Sequence, residues 1–175
     1  MTKIASLLFG CSILLLSACA DREPAYPLLG GGEIRFSELQ GKVVFINYWA
    51  EWCKPCRTEM PELNEVQKTL GDKVRVLAVN YDGIQGDQLA QQAKAMGIEF
   101  SILTEDPRSQ FDVMPSGALP ETLVIDQRGQ FQKVLLGPQT VNGLEQVVTS
   151  LTNEMDYPSS PVPLPIGGMF GIILD

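Results

Sequence analysis

Asn47-Tyr48-Trp49-Ala50-Glu51-Trp52-Cys53-Lys54-Pro55-Cys56-Arg57 is the stretch from which the rest of the chain can be read. It starts as the end of an apolar run, Val43-Val44-Phe45-Ile46, and ends in a sequence with helical character. Two cysteines, two residues apart, therefore sit where a buried strand hands over to a helix. The amide N–H groups of a helix's first turn have no partner within the helix and favour negative charge. A thiol placed there ionises more readily, and the thiolate is the nucleophile in disulfide exchange. The second cysteine is one turn away, within reach to close a ring.

Working outward, Lys42–Trp49 reads as a central strand buried on both faces. Pro55 suits the first helical position, where its missing N–H costs nothing. Met60, Leu63, Val66 and Leu70 mark one helical face, Pro61 is expected to kink it, and Gly71 to end it. Val74–Val79 reads as a second buried strand. Asp87–Met96 is rich in helix formers, with Asp87 as N-cap and Gly97 as terminator. Phe100–Leu103 is a short strand candidate, and residues 104–118 are loop-like, with Arg108–Val113 as one helical turn. Glu121–Asp126 and Phe131–Leu136 flank a turn at Gln127–Gln130 as a hairpin. Val141–Leu151 is a final amphipathic helix. The order of elements is that of an α/β layered domain, parallel strands joined by helices and closed by a hairpin.

On the N-terminal side, Glu33–Phe36 reads as a short strand and Ser37–Gly41 as one helical turn. Residues 19–32, with Pro24, Pro27 and Gly30-Gly31-Gly32, read as a tether. Before them, Lys3 precedes an apolar stretch from Ile4 to Leu16 of about 13 residues, whereas a spanning helix needs ~20. That is the length of a signal segment. Leu16-Ser17-Ala18-Cys19 resembles the bacterial lipoprotein box, which implies a signal peptide over 1–18 and a lipidated Cys19; an ordinary secretory signal cut near Ala18 or Ala20 is the alternative. Residues 154–175 carry Pro158, Pro161, Pro163 and Pro165 and then the apolar Ile166–Leu174, and read as an extended, flexible tail; docking of the apolar end onto the domain or a partner is the alternative.

Composition narrows the chemistry. The 175 residues are 45% hydrophobic and 19% charged, enough for one domain with a proper core. A net charge of −8 without a basic cluster argues against nucleic acid as partner. The absence of histidine excludes Ser-His and Cys-His catalysis and histidine metal sites. With Cys11 and Cys19 assigned to the targeting segment, Cys53 and Cys56 are the remaining pair. A loop this short makes a poor structural staple, and a zinc site would need further ligands that the chain lacks. A redox or metal role fits the spacing better, and the redox role calls for neither a cofactor nor a metal.

The run Trp49-Ala50-Glu51-Trp52-Cys53-Lys54-Pro55-Cys56, with the later Leu119-Pro120-Glu121-Thr122, resembles the thioredoxin-like family over roughly residues 30–153. Within that family it resembles the TlpA-like reductases anchored at bacterial membranes, some of which serve cytochrome c maturation. The resemblance implies a thioredoxin fold over 33–153: a central mixed β-sheet flanked by helices, with an N-terminal extension. It implies that Cys53 is the exposed nucleophile and that Cys56 resolves the mixed disulfide, while Trp52 shields and shapes the site. It also implies a cis bond before Pro120, with the backbone of Leu119 pairing with the substrate chain. Many thioredoxins carry a buried aspartate where this chain has Asn47, which cannot exchange a proton. Glu59 and Glu121 resemble the carboxylates that take up this task in the TlpA-like group, whereas Arg57 and Glu62 read as surface charges. There is no fingerprint for NADPH, so the resemblance implies electrons from a membrane carrier of the DsbD or CcdA type and protein disulfides as substrates. Cytochrome c maturation and cysteine repair are both open, as is which membrane holds the anchor. Two alternatives stand beside this reading. One is a disulfide oxidase or isomerase; the other is a copper-delivery protein holding Cu(I) on the dithiol. A peroxidase fits less well, because the chain lacks a Thr-x-x-Cys nucleophile.

Overall fold

The computed structural model describes residues 23–156; the targeting segment, Cys19 and the tail from 157 lie outside the described residues. Strand β3 (Val43–Trp49) is buried at every position, as its unbroken apolar composition requires. It lies at the centre of a five-stranded sheet with β4 (Val74–Asn80), β5 (Ser101–Leu103), β6 (Glu121–Ile125) and β7 (Phe131–Leu136), in the order β5-β4-β3-β6-β7. β4 runs parallel to β3, and β5 to β4, whereas β6 and β7 are antiparallel to their neighbours. The sheet is therefore mixed.

Because side chains alternate along a strand, β3 sends Phe45 and Trp49 to one face and Val44, Ile46 and Tyr48 to the other. The first face is covered by α1 (Lys54–Leu70) through Met60, Leu63 and Val66, by α2 (Gly86–Met96) through Leu89, Ala93 and Met96, and by α3 (Val141–Asp156) through Leu144, Val148 and Leu151. Each fully buried side chain of this kind contributes about 1.5–3 kcal/mol. The second face is covered by Tyr26, Ile34, Phe36 and Leu39.

Several local expectations change in the folded chain. α1 continues through Pro61, and its C-cap Gly71 stays right-handed. α2 starts at Gly86 with Gln85 as N-cap, two residues earlier than the expected Asp87, and ends at left-handed Gly97. α3 extends past Leu151 to Asp156, beyond the limit read at 153. β2 is confined to Glu33–Ile34, and a 3-10 helix occupies Phe36–Leu39.

The larger correction concerns the tether. Tyr26–Pro27 form β1, paired antiparallel with β2, and Tyr26 is buried with its ring edge-on to Phe36. Leu29 N–H donates to Ile102 O, and Thr104 N–H donates to Pro27 O, so this stretch runs along the outer edge of β5. The three glycines make a turn instead of a linker: all have positive φ, a region open to glycine at little cost. Pro27 is tolerated because it lies in a two-residue edge strand.

Candidate active site

β3 ends at Trp49, and a short turn brings Cys53 to the N-cap of α1, with Pro55 one position further into the first turn than expected. Cys53 and Cys56 are joined as a disulfide, and the backbone N–H of Cys56 donates to Cys53 Sγ at 3.2 Å. That is the stabilising contact a thiolate at a helix N-terminus would receive. In this oxidised form Cys53 is only 3% exposed and Cys56 fully buried. Both residues are thus buried while the disulfide is closed, and the exposed position expected for Cys53 is not seen in this form. Trp52 is 67% exposed, with its indole Nε1 donating to Asp82 Oδ2 at 2.9 Å. It therefore flanks the cysteines as a fixed outward-facing ring.

The Leu119–Pro120 bond is cis. Leu119 packs against the core cluster that includes both cysteines. Among the described residues its N–H and C=O carry no hydrogen bond, so both are available for a strand-like contact with another chain.

Glu59 follows Cys56 by three residues on α1 and is fully buried. Its Oε2 accepts from Asn47 Nδ2 at 3.0 Å, and its Oε1 accepts from the backbone N–H of Gln139 at 3.0 Å. Asn47 also donates to Thr122 Oγ1 at 2.9 Å. Desolvation raises the Glu59 pKa to about 7, against the opposing effect of the two hydrogen bonds. A buried carboxyl that can lose or gain a proton near neutrality thus lies on the helix that carries the dithiol.

Glu121 is equally buried but lies elsewhere. It pairs in register with Tyr48, whereas Thr122 pairs with Asn47. Alternation therefore puts Glu121 on the sheet face opposite Glu59. Both its oxygens are held by Arg108, Nη1 to Oε1 at 3.0 Å and Nη2 to Oε2 at 3.2 Å. Its carboxylate is occupied by an ion pair and does not join the Glu59 network.

The charges read as superficial also divide. Arg57 is exposed and donates to Ala95 O at 2.8 Å. Glu62 is half-buried and accepts the backbone N–H of Val141 at 2.8 Å, capping α3 from α1. Sequence reading missed Arg108, Thr122 and Gln139. A carboxylate at the head of the apolar strand Glu121–Ile125 was the one available sign of Arg108, since a buried charge needs a partner. Nothing local pointed to Thr122 or to Gln139, whose contribution is its main chain.

The four exposed large hydrophobic side chains among the described residues are Trp52, Tyr81, Met114 and Leu136. Trp52 and Tyr81 follow the C-terminal ends of β3 and β4. Leu136 ends β7 opposite Glu121, and Met114 lies in the segment leading to Pro120. All four rim the sheet end that carries the disulfide.

Residues 23–134 match the model of the AhpC/TSA family. The chain belongs to the AhpC/TSA family. Its relatives include the thiol-disulfide oxidoreductase ResA of Geobacillus kaustophilus, 35% identical over 126 residues that span 70% of this chain and 71% of that one. They also include the thioredoxin-like protein YneN of Bacillus subtilis, 34% identical over 67% of this chain and 70% of that one. A solved DsbF homologue from Corynebacterium diphtheriae superposes with a TM-score of 0.64 at 28% identity, covering 74% of this chain and 84% of the other. The fold is thioredoxin-like, and the protein is a thioredoxin-like thiol:disulfide oxidoreductase of the TlpA-like kind.

Proposed function

We propose that this oxidoreductase works outside the cytoplasm, tethered to a membrane through lipidated Cys19, and reduces disulfides in other proteins. The observation that carries the proton handling of this exchange is Glu59, a buried carboxyl with a pKa of about 7 on the helix of the dithiol; the direction follows the resemblance to the TlpA-like reductases. In the reduced protein, Cys53 thiolate attacks a substrate disulfide, forms a mixed disulfide and releases the first substrate thiolate. Glu59 takes the proton from Cys56, whose thiolate then attacks Cys53 Sγ and expels the second substrate thiolate. Two electrons pass from the dithiol to the substrate, and the Cys53–Cys56 disulfide is left behind. Each released thiolate takes up a proton.

The apolar rim and the unpaired Leu119 backbone support a polypeptide as substrate, with Trp52, Leu119 and Pro120 as its contacts. Regeneration requires a dithiol donor; a membrane carrier of the DsbD or CcdA type fits a sequence without an NADPH-binding fingerprint. The reduced product would serve cytochrome c maturation or cysteine repair.

Measurement of the reduction potential, with capture of mixed disulfides on Cys56→Ala, tests this reading. The expected potential lies nearer about −270 mV than about −120 mV, and captured partners join through Cys53. A potential near the upper value makes the protein an oxidase instead. Full activity in Cys53→Ser would sink the mechanism.

A further inference from the structure

On the sheet face opposite Glu59, Arg108 is buried and makes more contacts than its partner Glu121 needs. Besides the two bonds to that carboxylate, its Nη1 donates to Met114 O at 3.4 Å. Its guanidinium lies over the Tyr48 ring, 3.8 Å from the centroid. The Tyr48 hydroxyl donates to Asp106 Oδ1 at 2.6 Å, and the same oxygen accepts the Arg108 backbone N–H at 2.9 Å. One guanidinium therefore grips both ends of the segment from Met114 to Glu121. Between those ends, Met114–Ala118 are consecutively exposed, and Met114 is 83% exposed. They lead directly into Leu119 with its unpaired backbone.

A buried ion pair is a weak device for stability, since apolar residues of similar volume often do as well. What the planar, bidentate arginine supplies is geometry. We propose that Arg108 is a positioning residue for protein substrates. It sets Met114–Ala118 as a lip beside the dithiol, with Met114 as an apolar contact for the substrate chain. This rests on the thiol-exchange reading above and adds how a protein disulfide is preferred over a small one. A small disulfide reaches Cys53 without touching the lip; a polypeptide must lie along it.

The test uses the full chain, reduced beforehand, and compares second-order rate constants for oxidation by insulin and by hydroxyethyl disulfide. The insulin-to-small-disulfide ratio is expected to fall about 10-fold in Arg108→Lys, which keeps the charge but loses the fork, and about 3- to 10-fold in Met114→Ser. Should Arg108→Lys fail to fold, Arg108→Met with Glu121→Leu, which removes both charges together, is expected to show the same fall. A ratio within about twofold of wild type in Met114→Ser, or parallel loss of both rates in a folded Arg108 variant, overturns the proposal. Wild-type protein that reduces neither probe overturns the thiol-exchange reading itself, a failure distinct from a changed ratio.

Discussion

Glu59 and Glu121 are both fully buried carboxyls at the same end of the sheet, on opposite faces, and the protein treats them in opposite ways. Glu121 meets a bidentate guanidinium that stacks on Tyr48. Glu59 meets neutral donors, an Asn47 amide and the Gln139 main chain, and no cation among the described residues. Neutral hydrogen bonds only partly offset the loss of water, so the Glu59 proton is held up to about 7. For Glu59, burial acts without a counter-charge to offset it. The face with the dithiol surrounds its carboxyl with neutral donors, and the face behind it binds its carboxyl to an arginine as a fixed point.

The sharpest break of this comparison is Arg108→Met, which leaves Glu121 buried and unpaired. It should cost about 3–5 kcal/mol in urea unfolding, whereas adding Glu121→Leu should return stability to within about 1 kcal/mol of wild type. An equal loss in the double variant would show that the pair is needed for the fold itself.

Next comes the pH dependence of stability in the oxidised protein, where the cysteines do not titrate. The folded Glu59 pKa of about 7 lies above its ordinary 4.5, so between these values the native state binds more protons than the unfolded one. Stability from this group is full below about 4.5 and is lost as pH rises through about 7, by roughly 3 kcal/mol. Denaturant midpoints from pH 4 to pH 8 should show this fall in wild type and a flatter profile in Glu59→Gln.

Glu59→Gln should also slow disulfide exchange about 10- to 100-fold and remove a step near pH 7 from its rate profile. Stopped-flow rates that keep the wild-type step would place the proton on another group. The smallest effect belongs to Glu62→Ala, which leaves the first turn of α3 without its cap at Val141. A loss of about 1 kcal/mol with unchanged exchange rates is expected, read by urea unfolding and the same assay.

Much of the fold was legible because its signals are local. Val43–Trp49 and Val74–Val79 are apolar runs that hold no helical stripe, and Met60, Leu63 and Val66 recur at helical spacing. The dithiol was legible for the same reason, being written within four residues. The errors fell where composition has two meanings. Gly30-Gly31-Gly32 serves a flexible linker and a tight turn equally well, and only the contacts of Leu29 with Ile102 decide for the turn. Glu121 sits beside Pro120 in the chain, yet its face depends on pairing with Tyr48, a register that Glu121–Ile125 does not contain.

The sequence by itself determined the succession of strands and helices, and a reactive dithiol at the start of one of those helices. It did so because hydrophobic periodicity and the unpaired amides of a helix N-terminus act over a few residues. Which carboxyl would carry a proton was decided only by the tertiary structure. The Glu59 pKa depends on what surrounds the group after burial, and the Asn47 and Gln139 groups around it come from separate parts of the chain.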